Sequence, residues 1–442
     1  MALFVHGIQW IGYTLHFPDW LTIFLAQGLG GGINTVLPLV PQIGMMYLFL
    51  SFLEDSGYMA RAAFVMDRLM QALGLPGKSF VPLIVGFGCN VPSVMGARTL
   101  DAPRERLMTI MMAPFMSCGA RLAIFAVFAA AFFGQNGALA VFSLYMLGIV
   151  MAVLTGLMLK YTIMRGEATP FVMELPVYHV PHVKSLIIQT WQRLKGFVLR
   201  AGKVIIIVSI FLSAFNSFSL SGKIVDNIND SALASVSRVI TPVFKPIGVH
   251  EDNWQATVGL FTGAMAKEVV VGTLNTLYTA ENIQDEEFNP AEFNLGEELF
   301  SAIDETWQSL KDTFSLSVLM NPIEASKGDG EMGTGAMGVM DQKFGSAAAA
   351  YSYLIFVLLY VPCISVMGAI ARESSRGWMG FSILWGLNIA YSLATLFYQV
   401  ASYSQHPTYS LVCILAVILF NIVVIGLPVS YTHLTLPTKR IV

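Results

Sequence analysis

The residues best suited to chemistry lie inside an otherwise apolar run, Gly86-Phe87-Gly88-Cys89-Asn90-Val91-Pro92-Ser93. Two glycines before a cysteine, and a proline two residues after the asparagine, unwind a helix and free backbone carbonyls beside a thiol. Thiolate sulfur with carbonyl oxygen suits a borderline metal such as Fe(II) better than a hard ion such as Mg(II). A small buried cysteine in a helix break is the plainer reading of the same pattern. Pro114-Phe115-Met116-Ser117-Cys118-Gly119-Ala120-Arg121 repeats the theme, and Tyr360-Val361-Pro362-Cys363 supplies a third proline-adjacent thiol. Three cysteines beside three helix disruptions are harder to dismiss than one. The candidate metal contacts are therefore Cys89, Asn90, Met116, Ser117, Cys118 and Cys363. Cys413, in a smooth apolar run, reads as lipid-facing or core.

Ionisable groups inside a membrane are costly and are functional candidates by default. Arg121 is either a counter-charge for a carboxylate or a structural pair. Lys267 and Glu268 sit at the centre of another glycine-interrupted apolar stretch, as a structural latch, a coupling site or a gate. Glu54 and Asp55 end an apolar segment and either face the cytoplasmic exit of a cation path or form a solvated helix end. His6, His16, His250 and His406 are isolated, and His179 with His182 straddle Pro181 and make a poor metal pair. Gly77-Lys78-Ser79 resembles the end of a phosphate-binding loop, but Ala72 occupies the required earlier glycine position and no hydrophobic strand precedes it. No nucleotide-hydrolysing domain is expected in this chain.

Such residues need elements that hold them at membrane depth, and the composition supplies these. Of 442 residues 55% are hydrophobic and 12% charged, against roughly 25% charged in soluble domains. Mean hydropathy is +0.65. Four scattered cysteines make no disulfide framework, and a net charge of −3 gives no reason to expect a nucleic-acid partner. The chain reads as an all-α polytopic membrane protein. Its first 60 residues contain no Lys or Arg, so no basic leader is expected. Basic residues cluster at 61–106, at 160–203 and at Arg372 with Arg376, which the positive-inside rule places in the cytoplasm. Single crossings fit 34–53, 107–133, 138–159, 203–219, 347–371, 378–401 and 409–428.

Residues 80–97 and 254–275 each lie between landmarks on one side and therefore read as re-entrant broken helices. Gly86 to Val91 can be laid against Gly263 to Glu268. Each stretch follows an amphipathic approach and precedes a span with a Pro and a Cys. Opposite orientation makes the pair an inverted repeat, a transporter signature. The expected division is an outer-side or interfacial segment 1–33, a first repeat 34–159, a cytoplasmic linker 160–202, a second repeat 203–371 and a terminal hairpin 372–429. The second repeat contains the loop 276–346, whose fourteen Asp or Glu against three Lys read as an acidic extracytoplasmic mouth. Residues 430–442 resemble a translated sequencing adapter and are set aside.

At Leu53 to Arg61, Gly86 to Pro92, Met116 to Arg121 and Ala266 to Val270 the sequence resembles the membrane region of the bacterial ferrous iron transport protein B family, close to its enterobacterial members. The resemblance covers residues 2–429. It implies Fe(II) uptake across the inner membrane, two nucleoside-transporter-like gate repeats, and a thiol-bearing pore including Cys89 and Cys118. It further implies small cytoplasmic accessory proteins as partners and allows a homo-oligomer. The family's amino-terminal GTP-binding domain, helical spacer and first span have no counterpart here, so GTP and Mg would act only through that domain and the chain is a transporter rather than an enzyme. Two rivals stand beside this reading: a transporter of nucleosides or similar polar organic solutes on a related scaffold, and a non-transporting membrane scaffold.

Overall fold

The computed structural model describes residues 8, 10, 14, 26–37, 39–164, 178–203, 206, 207, 210, 231–265, 267, 269–279 and 334–434. Most of the crossing expected at 203–219, most of the acidic loop, Glu268 and residues 435–442 lie outside the described residues. What is described is helical, with no strand among the described residues. That follows from the composition, because backbone in hydrocarbon must pair with itself and a helix does so within one segment. Four stretches are long and apolar enough to cross a membrane: Pro103–Tyr161, Ala347–Glu373, Arg376–Ala401 and Pro407–Val424. The first, of 59 residues, is long enough for two crossings. Gly134, at a φ of 47°, turns the chain between them.

Helix α1 (Leu39–Asp55) leads to the amphipathic α2 (Tyr58–Ala72), which ends at the left-handed Gly74. The chain then bends by 104° into α3 (Phe80–Gly88). The Gly77-Lys78-Ser79 segment is the 3-10 turn at that bend, and its Gly77 N–H donates to Asp67 Oδ1 at 2.8 Å. One extended residue, Cys89, separates α3 from α4 (Asn90–Gly96). Ser93 Oγ donates to Pro82 O at 2.7 Å, so the two short helices double back as a hairpin. There follow α5 (Pro103–Met112), a break at residues 113–118, α6 (Gly119–Phe128) and the 25-residue α7 (Gly137–Tyr161). Helix α8 (Val183–Phe197) packs along α1.

A second set of elements has the same build. Helix α9 (Ala232–Ile240) and a 3-10 turn end at the left-handed Gly248. Helices α10 (Trp254–Met265) and α11 (Val269–Thr279) form the second hairpin, closed by Tyr278 Oη donating to Asn253 Oδ1 at 2.8 Å. Helix α12 (Thr334–Phe344) precedes α13 (Ala347–Leu359), a break at Tyr360 to Cys363, and α14 (Ile364–Glu373). The long α15 (Arg376–Ala401) and α16 (Pro407–Leu434) complete the chain.

Glycines fix how the parts of each set meet. A Cβ at Gly86 would stand 3.0 Å from Met116 Cβ, while one at Gly263 would collide with Tyr360 Oη. Each hairpin glycine therefore seats the break of the broken span that comes after it. From the far side, a Cβ at Gly148 of α7 would lie 2.8 Å from Phe115 O, and one at Gly386 of α15 would lie 3.2 Å from Leu359 O. Small residues at helix contacts let backbones approach in the same way throughout membrane bundles. Gly263→Val is accordingly expected to lower the thermal stability of the detergent-solubilised protein by about 1–3 kcal/mol through overpacking against Tyr360. An unchanged melting temperature would show that Tyr360 moves aside freely.

The remaining faces sort by solvent. On α7, Leu139, Phe142, Met146, Val150 and Leu154 form an exposed stripe at helical spacing, opposite the buried Leu144, Gly148, Ala152 and Gly156. One buried cluster takes side chains from both sets, with Phe128 stacked on Tyr353 at 5.3 Å. Helix α16 is peripheral and is tied to α15 by Asn421, whose Nδ2 donates to Ser392 Oγ at 2.7 Å.

Candidate functional site at the helix breaks

All three proline-adjacent cysteines occupy one kind of position. Cys89 (φ −154°, ψ 132°), Cys118 (φ −77°, ψ 165°) and Cys363 (φ −59°, ψ 155°) are each the extended residue immediately before a helix, namely α4, α6 and α14. Each thiol is half-buried. Their own carbonyls serve the helix that follows: Cys118 O accepts from Arg121 N at 3.0 Å, and Cys363 O from Val366 N at 2.9 Å.

The carbonyls released by the Pro114 kink are also taken. Arg121 Nη1 donates to Pro114 O and to Met116 O, both at 2.9 Å. At Cys118 two of the break's carbonyls thus carry a structural donor, for a physical reason. A buried carbonyl left without a donor is costly, so the fold supplies one from the next helical turn.

The breaks converge. A Cβ at Gly119 would stand 3.9 Å from Gly88 O, so the backbones beside Cys118 and Cys89 are neighbours. Arg121 is fully buried, and Cys118, Tyr360, Cys363 and Tyr145 all lie close enough to act on its charge. Tyr360 in turn lies beneath Lys267 Nζ, 4.8 Å from its ring centroid, a cation–π contact. Lys267, Tyr360 and Arg121 thus link the second hairpin, the second break and the first break. Arg121 answers to carbonyls of its own segment rather than to a carboxylate.

The other expected ligands divide by role. The Asn90 amide lies among the carbonyls of the first break; turned so that its nitrogen faces them, it donates to Gly86 O at 3.0 Å and Ala113 O at 3.1 Å. Its nitrogen ties the first hairpin to the break that follows α5. Met116 is buried against Gly86, and Ser117 is buried with its hydroxyl unpartnered among the described residues. Among the described residues, no three His, Cys, Asp or Glu side chains form a group able to hold a metal ion. The three sulfurs come from three separate breaks.

On the side placed in the cytoplasm by charge, Glu54 pairs with Arg193 of α8 at 2.8 Å, and Asp55 is half-buried beside it. Arg98 pairs with Glu373 at 2.5 Å, joining the end of α4 to the end of α14. The hydrogen bond to that carboxylate pushes the Arg98 guanidinium further up from its ordinary value. Between these pairs lies a cavity of about 480 Å³ whose wall includes Val91, Arg98, Arg193, Ile364, Arg372 and Glu373.

Sequence reasoning missed three neighbours of the breaks. Met46 and Gln42 of α1 stand against Gly88 and Gly119, at 3.1 Å and 3.3 Å from a Cβ there. Tyr360 was seen only as a flank of Cys363. Gln42, a lone amide in an apolar helix, was a signal open to a closer reading.

Comparison with known proteins fits this geometry. The family described as "Nucleoside recognition" matches residues 36–132 and 198–376, and that described as "Ferrous iron transport protein B C terminus" matches residues 141–193. The Fe(2+) transporter FeoB of Shigella flexneri is 99% identical over 427 residues, which are 97% of this chain and 55% of that protein. The chain belongs to the ferrous iron transport protein B family. The Fe(2+) transporter FeoB of Salmonella typhimurium is 94% identical over the same shares. That of Legionella pneumophila strain Lens is 49% identical over 94% of this chain and 55% of its own length. No solved structure matches. The chain spans about half the length of the curated relatives it matches. Within this family the chain is a multi-pass protein of the bacterial inner membrane.

Proposed function

We propose that this chain forms the membrane path of a ferrous-iron importer. Fe(II) enters from the outer face, passes the breaks carrying Cys89, Cys118 and Cys363, and leaves near Glu54 and Asp55. The observation that carries the reading is that three helix breaks each place a half-buried cysteine immediately before a helix, with Cys118 and Cys363 near the buried Arg121 and Gly119 beside Gly88. One or two sulfur contacts at a time suit a moving ion, since conduction requires binding firm enough to admit it and weak enough to release it. The two sets of hairpin, broken span and long helix are read as repeats of opposite orientation, with the path at their interface. A divalent cation moving inward gains roughly 4.6 kcal/mol per 100 mV, so the potential alone can drive it. In the full-length protein a GTP-binding domain would control opening, and small accessory proteins would act on the cytoplasmic side.

Radiolabelled iron flux into vesicles holding the full-length protein, under an imposed inside-negative potential and a reductant, tests this. Flux is expected to grow with the potential and to be indifferent to added nucleosides. Competition by nucleosides would favour the rival drawn from the family description, and flux no greater than in empty vesicles would favour the scaffold reading.

A further inference from the structure

The cavity between the two cytoplasmic ion pairs is mismatched to a cation. Its wall carries three guanidiniums, Arg98, Arg193 and Arg372, against one carboxylate, Glu373. Beside the polar Tyr47, Gln192 and Ser365, the lining is mostly apolar, with Met95, Met367, Met379 and Phe197. An excess of positive charge over an apolar floor matches an anion that carries a hydrocarbon tail.

Its depth agrees. Helix α8 forms one wall through Arg193, Gly196 and Phe197. The opposite face of α8 exposes Val183, Ile187 and Trp191 at four-residue spacing, with Lys184 and Lys195 on the same short helix. A helix with an apolar face that includes Trp, and with basic residues around it, lies at the level of the lipid headgroups. Basic pockets between helices on the cytoplasmic side are where anionic phospholipid headgroups bind. The space is also real at the backbone: a Cβ at Gly196 meets no heavy atom within 4 Å, and one at Gly368 meets nothing nearer than Arg372 at 3.9 Å.

We infer that this cavity is a binding site for an anionic phospholipid, with its phosphate held by Arg372, Arg98 and Arg193 and an acyl chain over the methionine floor. Arg372 is the natural anchor, since its Nε bonds only its own helix at Gly368 O, at 3.2 Å, whereas Arg98 and Arg193 already hold carboxylates. The assignment does not require iron, and it shares only the Glu54–Arg193 pair with the exit of the proposed path.

The test is native mass spectrometry of the full chain, delipidated in detergent and then offered phosphatidylglycerol, phosphatidylcholine or inorganic phosphate. Phosphatidylglycerol is expected to be retained and phosphatidylcholine lost. Arg372→Gln should weaken retention about fivefold, the usual worth of one basic side chain near an anionic headgroup. Gly196→Leu fills the cavity from a position with room for the side chain and should weaken it at least as much, with folding verified by an unchanged melting profile. Equal retention of both lipids, displacement of phosphatidylglycerol by inorganic phosphate, or wild-type retention in Gly196→Leu would each overturn the assignment.

Discussion

Replacing Cys118 or Cys89 by serine is expected to reduce iron flux to below about a tenth of the wild-type rate while membrane insertion and melting temperature stay unchanged. The stability half of this expectation follows from burial. Both cysteines are only half-buried, so exchanging sulfur for oxygen opens little space even where Cys89 packs against the cluster around Tyr47 and Val91. The transport half follows from ligand chemistry: a neutral hydroxyl is a poor substitute for a thiolate toward a borderline divalent metal. With the Pro114 and Met116 carbonyls held by Arg121, the break has no equivalent donor to offer instead. Cys413, in the second turn of the peripheral α16, serves as the control, and its serine variant should transport normally. Normal uptake by both Cys89→Ser and Cys118→Ser in full-length protein would sink the thiol path.

The second large effect concerns Arg121, where two opposing terms must be compared. Arg121→Met removes the donor to two buried carbonyls, at about 1–3 kcal/mol each. It also removes a fully buried charge whose Nε and Nη2 find no hydrogen-bond partner among the described residues. Burying an ion costs several kcal/mol, and apolar replacements of buried ionic groups are often neutral or stabilising. The terms nearly cancel, so the variant is expected to fold with a stability within about 2 kcal/mol of wild type.

Transport by Arg121→Met should change far more. A single positive charge facing a divalent ion across ~10 Å at an effective dielectric near 20 opposes it by roughly 3 kcal/mol. Removing that repulsion lets the ion dwell, so the half-saturating iron concentration should drop together with the maximal rate, by at least about tenfold. Concentration-dependent flux in vesicles reads both quantities. A lower maximal rate with unchanged half-saturation and a collapsed melting temperature would make Arg121 purely structural. Arg121→Lys keeps the charge but not the two-carbonyl fork, and it should restore the half-saturating concentration more fully than the stability.

The sequence by itself determined the class of molecule and the places where its helices fail. Long apolar runs can only be helices in hydrocarbon, and prolines beside glycines mark breaks whatever surrounds them, so Cys89, Cys118 and Cys363 could be singled out by local rules alone. Charge bias likewise assigns the basic zones to the cytoplasm as an expectation, because each basic residue acts on topology near its own span. Tertiary structure decided what those residues face. That Tyr360 stands between Arg121 and Lys267, and that Gly86 and Gly263 seat the breaks of their respective sets, are relations between segments up to about 240 residues apart. Periodicity and spacing describe one helix at a time, whereas a donor is committed or left for an ion only when a neighbouring helix arrives. For that reason Gln42 and Tyr360 come beside the breaks only once the helices have packed.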